Sequence, residues 1–398
     1  MVKIYWKSPR KYLWLFNAIL YNLPHFSKKR DEKLWVFGAW MGKKYEDNSR
    51  ALFEYVNEQH RDTIRAVWLA NTDSIVTDVR NRGYEAYRVD SVKGVEIAKR
   101  AGVAIYTNSL MDFGQFPKIY GAFIVSLWHG VGFKKIYNDK YSGWQLVAKR
   151  MADKVFSWTH RDLTIVTSKY VAKQFSSIFG LGKNAVIKIC GQPRNDLFKK
   201  NIFRENVLKR NTIDNTKKII IYMPTYRGKD LGENAMERIV EKLYESDYLD
   251  RILAESNSVF VAKLHPNTPH LNLKRRNNFV ILDNDEVESN QELLGISDVL
   301  ITDYSSCCVD FALLNRPIVF YQPDEEEFLK KSEPLYDELM SIIHIGRCTT
   351  PEELANSLMN PSLDAVLKIN NVFEDESIKG TCYSENVYNA IINELRKN

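Results

Sequence analysis

From Leu34 onward, short β-rich apolar runs alternate with amphipathic segments of about ten residues. That rhythm restricts the chain to parallel βαβ units. Residues 35–39, 65–69, 84–89, 103–107, 123–127, 163–167 and 186–189 read as strands. Helices are expected over 48–58, 74–82, 92–100 and a stretch ending at Phe179. A polar, strand-poor stretch at 199–217 then interrupts the pattern. A second series follows, with strands at 219–222, 259–262, 279–281, 299–301 and 318–320 and helical material over 236–253. Two Rossmann-like domains facing a central cleft are the simplest α/β architecture for this order. The expected extents are 31–210 and 211–398, the last helix being able to pack back on the first domain. A length of 398 residues suits two domains.

Charge is local. Residues 1–30 carry seven Lys or Arg and no Asp or Glu, against a net charge of +6 for the whole chain. The remainder is near neutral, which argues against a nucleic-acid surface. In 1–30, Tyr12, Leu15, Phe16, Ile19, Leu20 and Leu23 recur at helical spacing among basic residues, up to Pro24. A basic, amphipathic N-terminal helix of this kind suits an anionic membrane surface; the alternative is a helix packed on the first domain with solvated Lys and Arg. The 5 cysteines form no CxxC, so a reducing, cytosolic setting without a disulfide frame is expected. No apolar run is long enough to span a bilayer and no secretory signal is evident.

Four polar clusters follow predicted strands: Trp128-His129-Gly130, Pro224-Thr225-Tyr226-Arg227, Lys263-Leu264-His265-Pro266 and Thr302-Asp303-Tyr304-Ser305-Ser306. Ligands of open α/β sheets bind at carboxyl ends of strands, so one shared cleft is the economical reading. The last cluster opens a helix, where hydroxyls and unpaired N–H groups favour a phosphate; an ordinary capped helix is the alternative. His129 is the candidate base, because its reference pKa near 6.5 allows proton transfer at neutral pH. A structural histidine bonded to a loop carbonyl is the competing reading. Gly130 lets the backbone approach a ligand. His265 is suited to donating to a phosphate oxygen, or is a turn residue. Arg227, Lys263, Lys134 and Arg194 are cations for a phosphate or for surface ion pairs, and Arg194 with Asn195 lies in a turn positioned to line the cleft. Asp283-Asn284-Asp285 is a weak metal triplet, so no cofactor is required and Mg2+ has no sequence support. Absence of GxGxxG opening a first unit, GxxxxGK[ST], HExxH and GxSxG removes four common chemistries.

Taken in order, Leu127-Trp128-His129-Gly130, Gly191 through Asp196, Met223 through Arg227, Lys263 through Pro266, Ser297 through Phe311 and Asn315-Arg316-Pro317 resemble the CDP-glycerol:glycerophosphate glycerophosphotransferase family of teichoic-acid primases and polymerases. The resemblance implies a GT-B-like fold, with an acceptor domain first and a CDP-donor domain second. It implies a peripheral enzyme at the cytoplasmic face of the membrane, transferring glycerol phosphate from CDP-glycerol to a lipid-linked glycerophosphate or saccharide acceptor. His129 would be the base and His265 a phosphate contact. Thr302, Asp303, Ser305, Ser306, Arg227, Thr225, Pro224 and Lys263 would serve the donor, with Trp128, Gly130, Lys134, Arg194 and Asn195 at the acceptor or cleft. Two segments depart from the family pattern: Val131-Gly132-Phe133-Lys134-Lys135 after Trp-His-Gly, and Glu385 where an arginine is expected. Transfer from CDP-ribitol, a GT-B glycosyltransferase using a nucleotide sugar, and a non-catalytic nucleotide-binding protein are the alternatives.

Overall fold

A computed structural model describes residues 30–397 except 116, 157–159, 201–203, 211–212, 215, 229–230, 233, 266, 269–270, 272, 274–277 and 283–288. The basic N-terminal segment through residue 29 therefore lies outside the described residues, as do Pro266 and the Asp283-Asn284-Asp285 triplet. The chain divides into two compact units. The first is built from residues through His129, Tyr137–Asp196 and Glu376–Asn398; the second from Gly130–Ile136 and Leu197–Asp375.

The first unit holds seven parallel strands: β1 (Asp31–Gly38), β2 (Arg65–Ala70), β3 (Ala86–Arg88), β4 (Ala101–Tyr106), β5 (Phe123–Ser126), β6 (Leu163–Val166) and β7 (Val186–Ile189). Their order is β3-β2-β1-β4-β5-β6-β7. Side chains alternate across a strand. In β1, Trp35 and Phe37 enter one apolar cluster while Leu34 and Val36 enter another. In β4, Val103 and Ile105 join the first, Ala104 and Tyr106 the second. Both faces are covered, as a parallel sheet requires. The helix Asp47–Gln59 covers one face by burying Leu52, Phe53 and Val56.

The second unit has β8 (Lys218–Tyr222), β9 (Ser258–Lys263), β10 (Phe279–Leu282), β11 (Val299–Thr302) and β12 (Ile318–Phe320), all parallel in the order β10-β9-β8-β11-β12. Each sheet reverses its strand order once, between β1 and β4 and between β8 and β11. Loops diverge at such switch points and leave room for a ligand.

Every strand expected from the sequence is present, β1 starting earlier at Asp31. The expected helical stretch over 236–253 is two helices, Ala235–Tyr244 and Asp247–Glu255. Ser246 separates them, its hydroxyl capping the second at Leu249 N–H, 3.2 Å away. The expected division at residue 210 falls instead after Asp196. Residues 204–210 go with the second unit because Arg204 donates to the carbonyls of Ile296 and Lys217 and pairs with Asp298. The helix Tyr383–Leu395 returns to the first unit, placing Val387 and Ile391 in its core. Its first turn is capped from elsewhere in the chain: Asp196 accepts N–H from Tyr383 at 2.8 Å and from Ser384 at 2.7 Å. A carboxylate there satisfies orphan donors and complements the helix dipole.

Candidate functional site

In the first unit the loops leaving β1, β4, β5 and β7 meet around His129. The Trp40 ring centroid lies 5.6 Å from that of His129, and Trp128 lies 4.2 Å away. Trp40, Met41, Asp47 and Trp128 have φ of 50°, 56°, 70° and 55°. Side chains rarely adopt this left-handed region, and it persists only where surrounding bonds over-determine it. Here they do. Asp112 accepts the Met41 N–H at 2.7 Å, and Asn48 Nδ2 donates to the Trp128 carbonyl at 2.9 Å. Arg194 Nη1 donates to Asp47 at 2.8 Å and to the His129 carbonyl at 3.0 Å, while its backbone N–H donates to Asn48 Oδ1. Gly130, where the chain passes to the second unit, has φ 141°, a conformation suited to glycine.

His129 Nδ1 is buried and has no hydrogen-bond partner. Burial lowers the imidazole pKa, Arg194 adds to this, and Asp47 and the Thr107 carbonyl oppose it. The ring is therefore neutral at pH 7 with an unengaged nitrogen, the state a general base needs.

In the second unit the switch point is built on Asp303. This wholly buried carboxylate accepts the Thr225 N–H at 2.8 Å and that of Tyr304. Thr302 Oγ1 donates to the Met223 carbonyl at 2.7 Å, closing β11 onto the end of β8. Arg227 is 4% exposed. It grips Asp324 with Nε at 2.7 Å and Nη2 at 2.9 Å, donates to Thr225 O at 2.7 Å, and pairs with Asp303 at 2.8 Å. Burial alone would depress the Arg227 pKa, but Asp303 and Asp324 together raise it. Tyr304 stacks on Phe328 with centroids 3.9 Å apart, and the Arg227 guanidinium lies 4.7 Å from the Phe328 ring.

The expected donor groups thus separate into two sets. Arg227, Lys263 and Thr302 are bonded internally, because a buried cation or hydroxyl left unpaired is costly. Lys263 Nζ donates to the Leu264 carbonyl at 3.0 Å. Their polar atoms are turned onto the protein's own groups. Thr225, Ser305, Ser306 and His265 are held differently. The Thr225 hydroxyl is buried without a hydrogen-bond partner. Ser305 Oγ accepts Cys307 N–H at 3.4 Å, and Ser306 precedes the helix Cys307–Ala312 without capping it. His265 is exposed, its ring stacked on Tyr226 at 5.1 Å. His265 Nδ1 accepts the Asn267 N–H at 3.2 Å, which puts the ring proton of the neutral form on Nε2 as a donor. Pro224 is buried at the start of this loop.

Lys134, expected at the acceptor or cleft, belongs to the second unit. Its residue bridges to Leu335, and Lys135 N–H donates to Pro334 O at 2.7 Å. Lys134 Nζ lies 4.9 Å from the Phe328 ring, its pKa lowered by burial and by Arg227 and raised by Asp303 and Glu333. Asn195 is buried in the first unit, its N–H closing a turn onto Gln192 at 2.9 Å. Among the described residues no group of three His, Cys, Asp or Glu could hold a metal ion.

Trp40, Asp47, Asn48, Asp112 and Asp324 were not singled out in the sequence. Trp40 and Asp324 lie in the loops that leave β1 and β12, so the rule that flagged His129 extends to them. Asp47-Asn48-Ser49 reads in sequence only as a helix start, and nothing local marks Asp112.

A family described as CDP-glycerol:poly(glycerophosphate) glycerophosphotransferase matches residues 19–390. A teichoic acid poly(glycerol phosphate) polymerase of Bacillus spizizenii is 28% identical over 370 residues, 89% of each chain. A teichoic acid glycerol-phosphate primase of Bacillus subtilis is 26% identical over 374 residues, 90% of this chain and 91% of that one. A solved structure of the wall teichoic acid polymerase TagF superposes with a TM-score of 0.74 at 22% identity, covering 96% of this chain and 94% of that chain. The fold is GT-B-like.

Proposed function

The chain belongs to the CDP-glycerol:poly(glycerophosphate) glycerophosphotransferase family, and from that premise we propose how its residues divide the reaction. It is a transferase that moves glycerol phosphate from CDP-glycerol to a hydroxyl of a teichoic-acid acceptor and releases CMP. The observation that carries this reading is the family match over 19–390, which includes both units. The acceptor oxygen attacks the β-phosphorus, the bond from that phosphorus to the bridging oxygen breaks, and CMP departs with that oxygen. His129 takes the acceptor proton through its unengaged Nδ1. His265 Nε2–H, the hydroxyls of Thr225, Ser305 and Ser306, and the Lys134 ammonium stabilise charge on the phosphate oxygens. Preorganised donors of this kind are worth about 2.7–4 kcal/mol each where measured. Arg227, Asp303 and Asp324 hold the loops that present them.

The test supplies purified chain with CDP-glycerol, CDP-ribitol or UDP-sugars and a lipid-linked glycerophosphate acceptor. CMP released from CDP-glycerol is expected. CMP from CDP-ribitol alone, or a nucleoside diphosphate from a UDP-sugar, would replace the reading.

The acceptor being lipid-linked, the enzyme is further read as peripheral at an anionic membrane surface on the cytoplasmic face. No helix among the described residues is long and apolar enough to cross a membrane. Support comes from the helix Gly143–Phe156, where Trp144 is 86%, Val147 46% and Met151 65% exposed. These positions share one helical face, beside Lys149 and Arg150, which is the pattern of an interfacial helix. Replacing the three by serine should reduce co-sedimentation with phosphatidylglycerol vesicles severalfold. Unchanged sedimentation would remove this helix from the reading.

A further inference from the structure

Asp112 is wholly buried and touches none of the proposed reactants, yet two loops that contact His129 depend on it. Its Oδ1 accepts the Met41 N–H at 2.7 Å; its Oδ2 accepts those of Thr107 at 3.0 Å and Asn108 at 2.8 Å. Met41 follows Trp40, whose ring lies 5.6 Å from that of His129. Thr107 supplies the carbonyl that favours a ring N–H on His129. The approach is close: a Cβ at Gly38, the last residue of β1, would lie 2.8 Å from the Asp112 carbonyl oxygen.

We propose that Asp112 is a positioning residue for the reaction: by gathering the Met41, Thr107 and Asn108 amides it sets Trp40 and the Thr107 carbonyl against the His129 imidazole. The role rests on the reading of His129 as the base.

The carboxylate is held at a cost. Burial pushes its pKa up to about 6, against the pull of the N–H groups of Asn108, Met41, Thr107 and Ser109. Tyr106 is the titratable side chain facing it, and Asp47 and Arg194 are the charged groups facing His129. A folded-state pKa above the unfolded value means the native chain binds more protons between roughly pH 4 and 6. This group's contribution to stability therefore falls as pH rises through that window. At neutral pH the ionised form is a burden on the fold, retained for what it positions. Opening these loops would return Asp112 to solvent and to its ordinary pKa, so the closed arrangement binds the proton more readily and is favoured as pH falls from about 6 toward 4.

The experiment has two arms. In the first, Asp112→Asn in the full chain is compared with the unmodified enzyme. The expected result is a kcat lower by about 10²-fold, the scale of a small misplacement of a catalytic group, with KM and binding for CDP-glycerol unchanged and Tm at neutral pH little altered. A kcat within twofold of the original, or a loss explained by a matching fall in Tm, overturns the proposal. The second arm needs no variant. Amide hydrogen exchange at Met41, Thr107 and Asn108, corrected for intrinsic rate, should gain protection as pH falls from about 6 toward 4, because opening that solvates Asp112 must release its proton. Protection indifferent to that pH overturns the proposal. Should His129→Ala retain activity, the base assignment fails while the exchange arm still reports on Asp112.

Discussion

Asp112 and Asp303 occupy matching places in two sheets of the same design. Each follows the fourth strand of its own unit, β4 or β11, and each accepts a backbone N–H from the loop after the first strand, Met41 at 2.7 Å and Thr225 at 2.8 Å. The difference lies in the charge. Asp303 is neutralised by Arg227, itself shared with Asp324, in a buried ionic cluster. Asp112 has only backbone dipoles, and its pKa rises to about 6. A charge cluster fixes the loops of the second unit over the working pH range and suits the proposed site for a polyanionic donor. Asp112 instead holds its loops through backbone N–H groups alone, and the neutral state of the nearby His129 imidazole is set by burial and Arg194.

The largest expected effect bears on the first unit. His129→Ala should lower kcat by about 10²–10⁴-fold, the usual worth of a positioned base. Equal turnover would break the assignment of proton chemistry to this unit. Next, Arg227→Ala leaves the buried Asp303 and the half-buried Asp324 without their cation. A loss of about 3–5 kcal/mol in unfolding free energy is expected, read by chemical denaturation at neutral pH. Asp112→Asn should cost far less, and similar losses in the two variants would erase the contrast between the units. The smallest effect is in the pH profile. The acid limb of kcat/KM should lie below pH 6.5, the ordinary histidine value, because burial and Arg194 lower the His129 pKa. Arg194→Ala removes a lowering influence and should move that limb upward. Asp47→Asn removes a raising influence and should move it downward. Shifts of the same sign would show that charge at His129 is not set by this pair.

Much of this was legible in the chain. Strands written as apolar runs between polar turns, such as Val299–Thr302, carry their own signal because both faces are buried. His129 and the Thr302–Ser306 turn could be found by their place after a strand. What a side chain is bonded to could not. Arg227 reads as a phosphate ligand until Asp324, nearly a hundred residues on, is seen closing on it. Asp112 sits in an ordinary-looking Leu-Met-Asp-Phe stretch, and its role arises from three amides brought together by topology. The division of the units was misplaced for a similar reason. Arg204 ties residues 204–210 forward to Asp298, and Asp196 draws in the C-terminal helix, contacts without local trace.

The central claim is that the second unit holds the donor while the first supplies the base. Titration calorimetry of CDP-glycerol into the His129→Ala chain tests it most directly. The account predicts a dissociation constant within about threefold of the unmodified enzyme's, close to the limit of a resolvable free-energy difference, although turnover is lost. Binding that disappears together with turnover would contradict it.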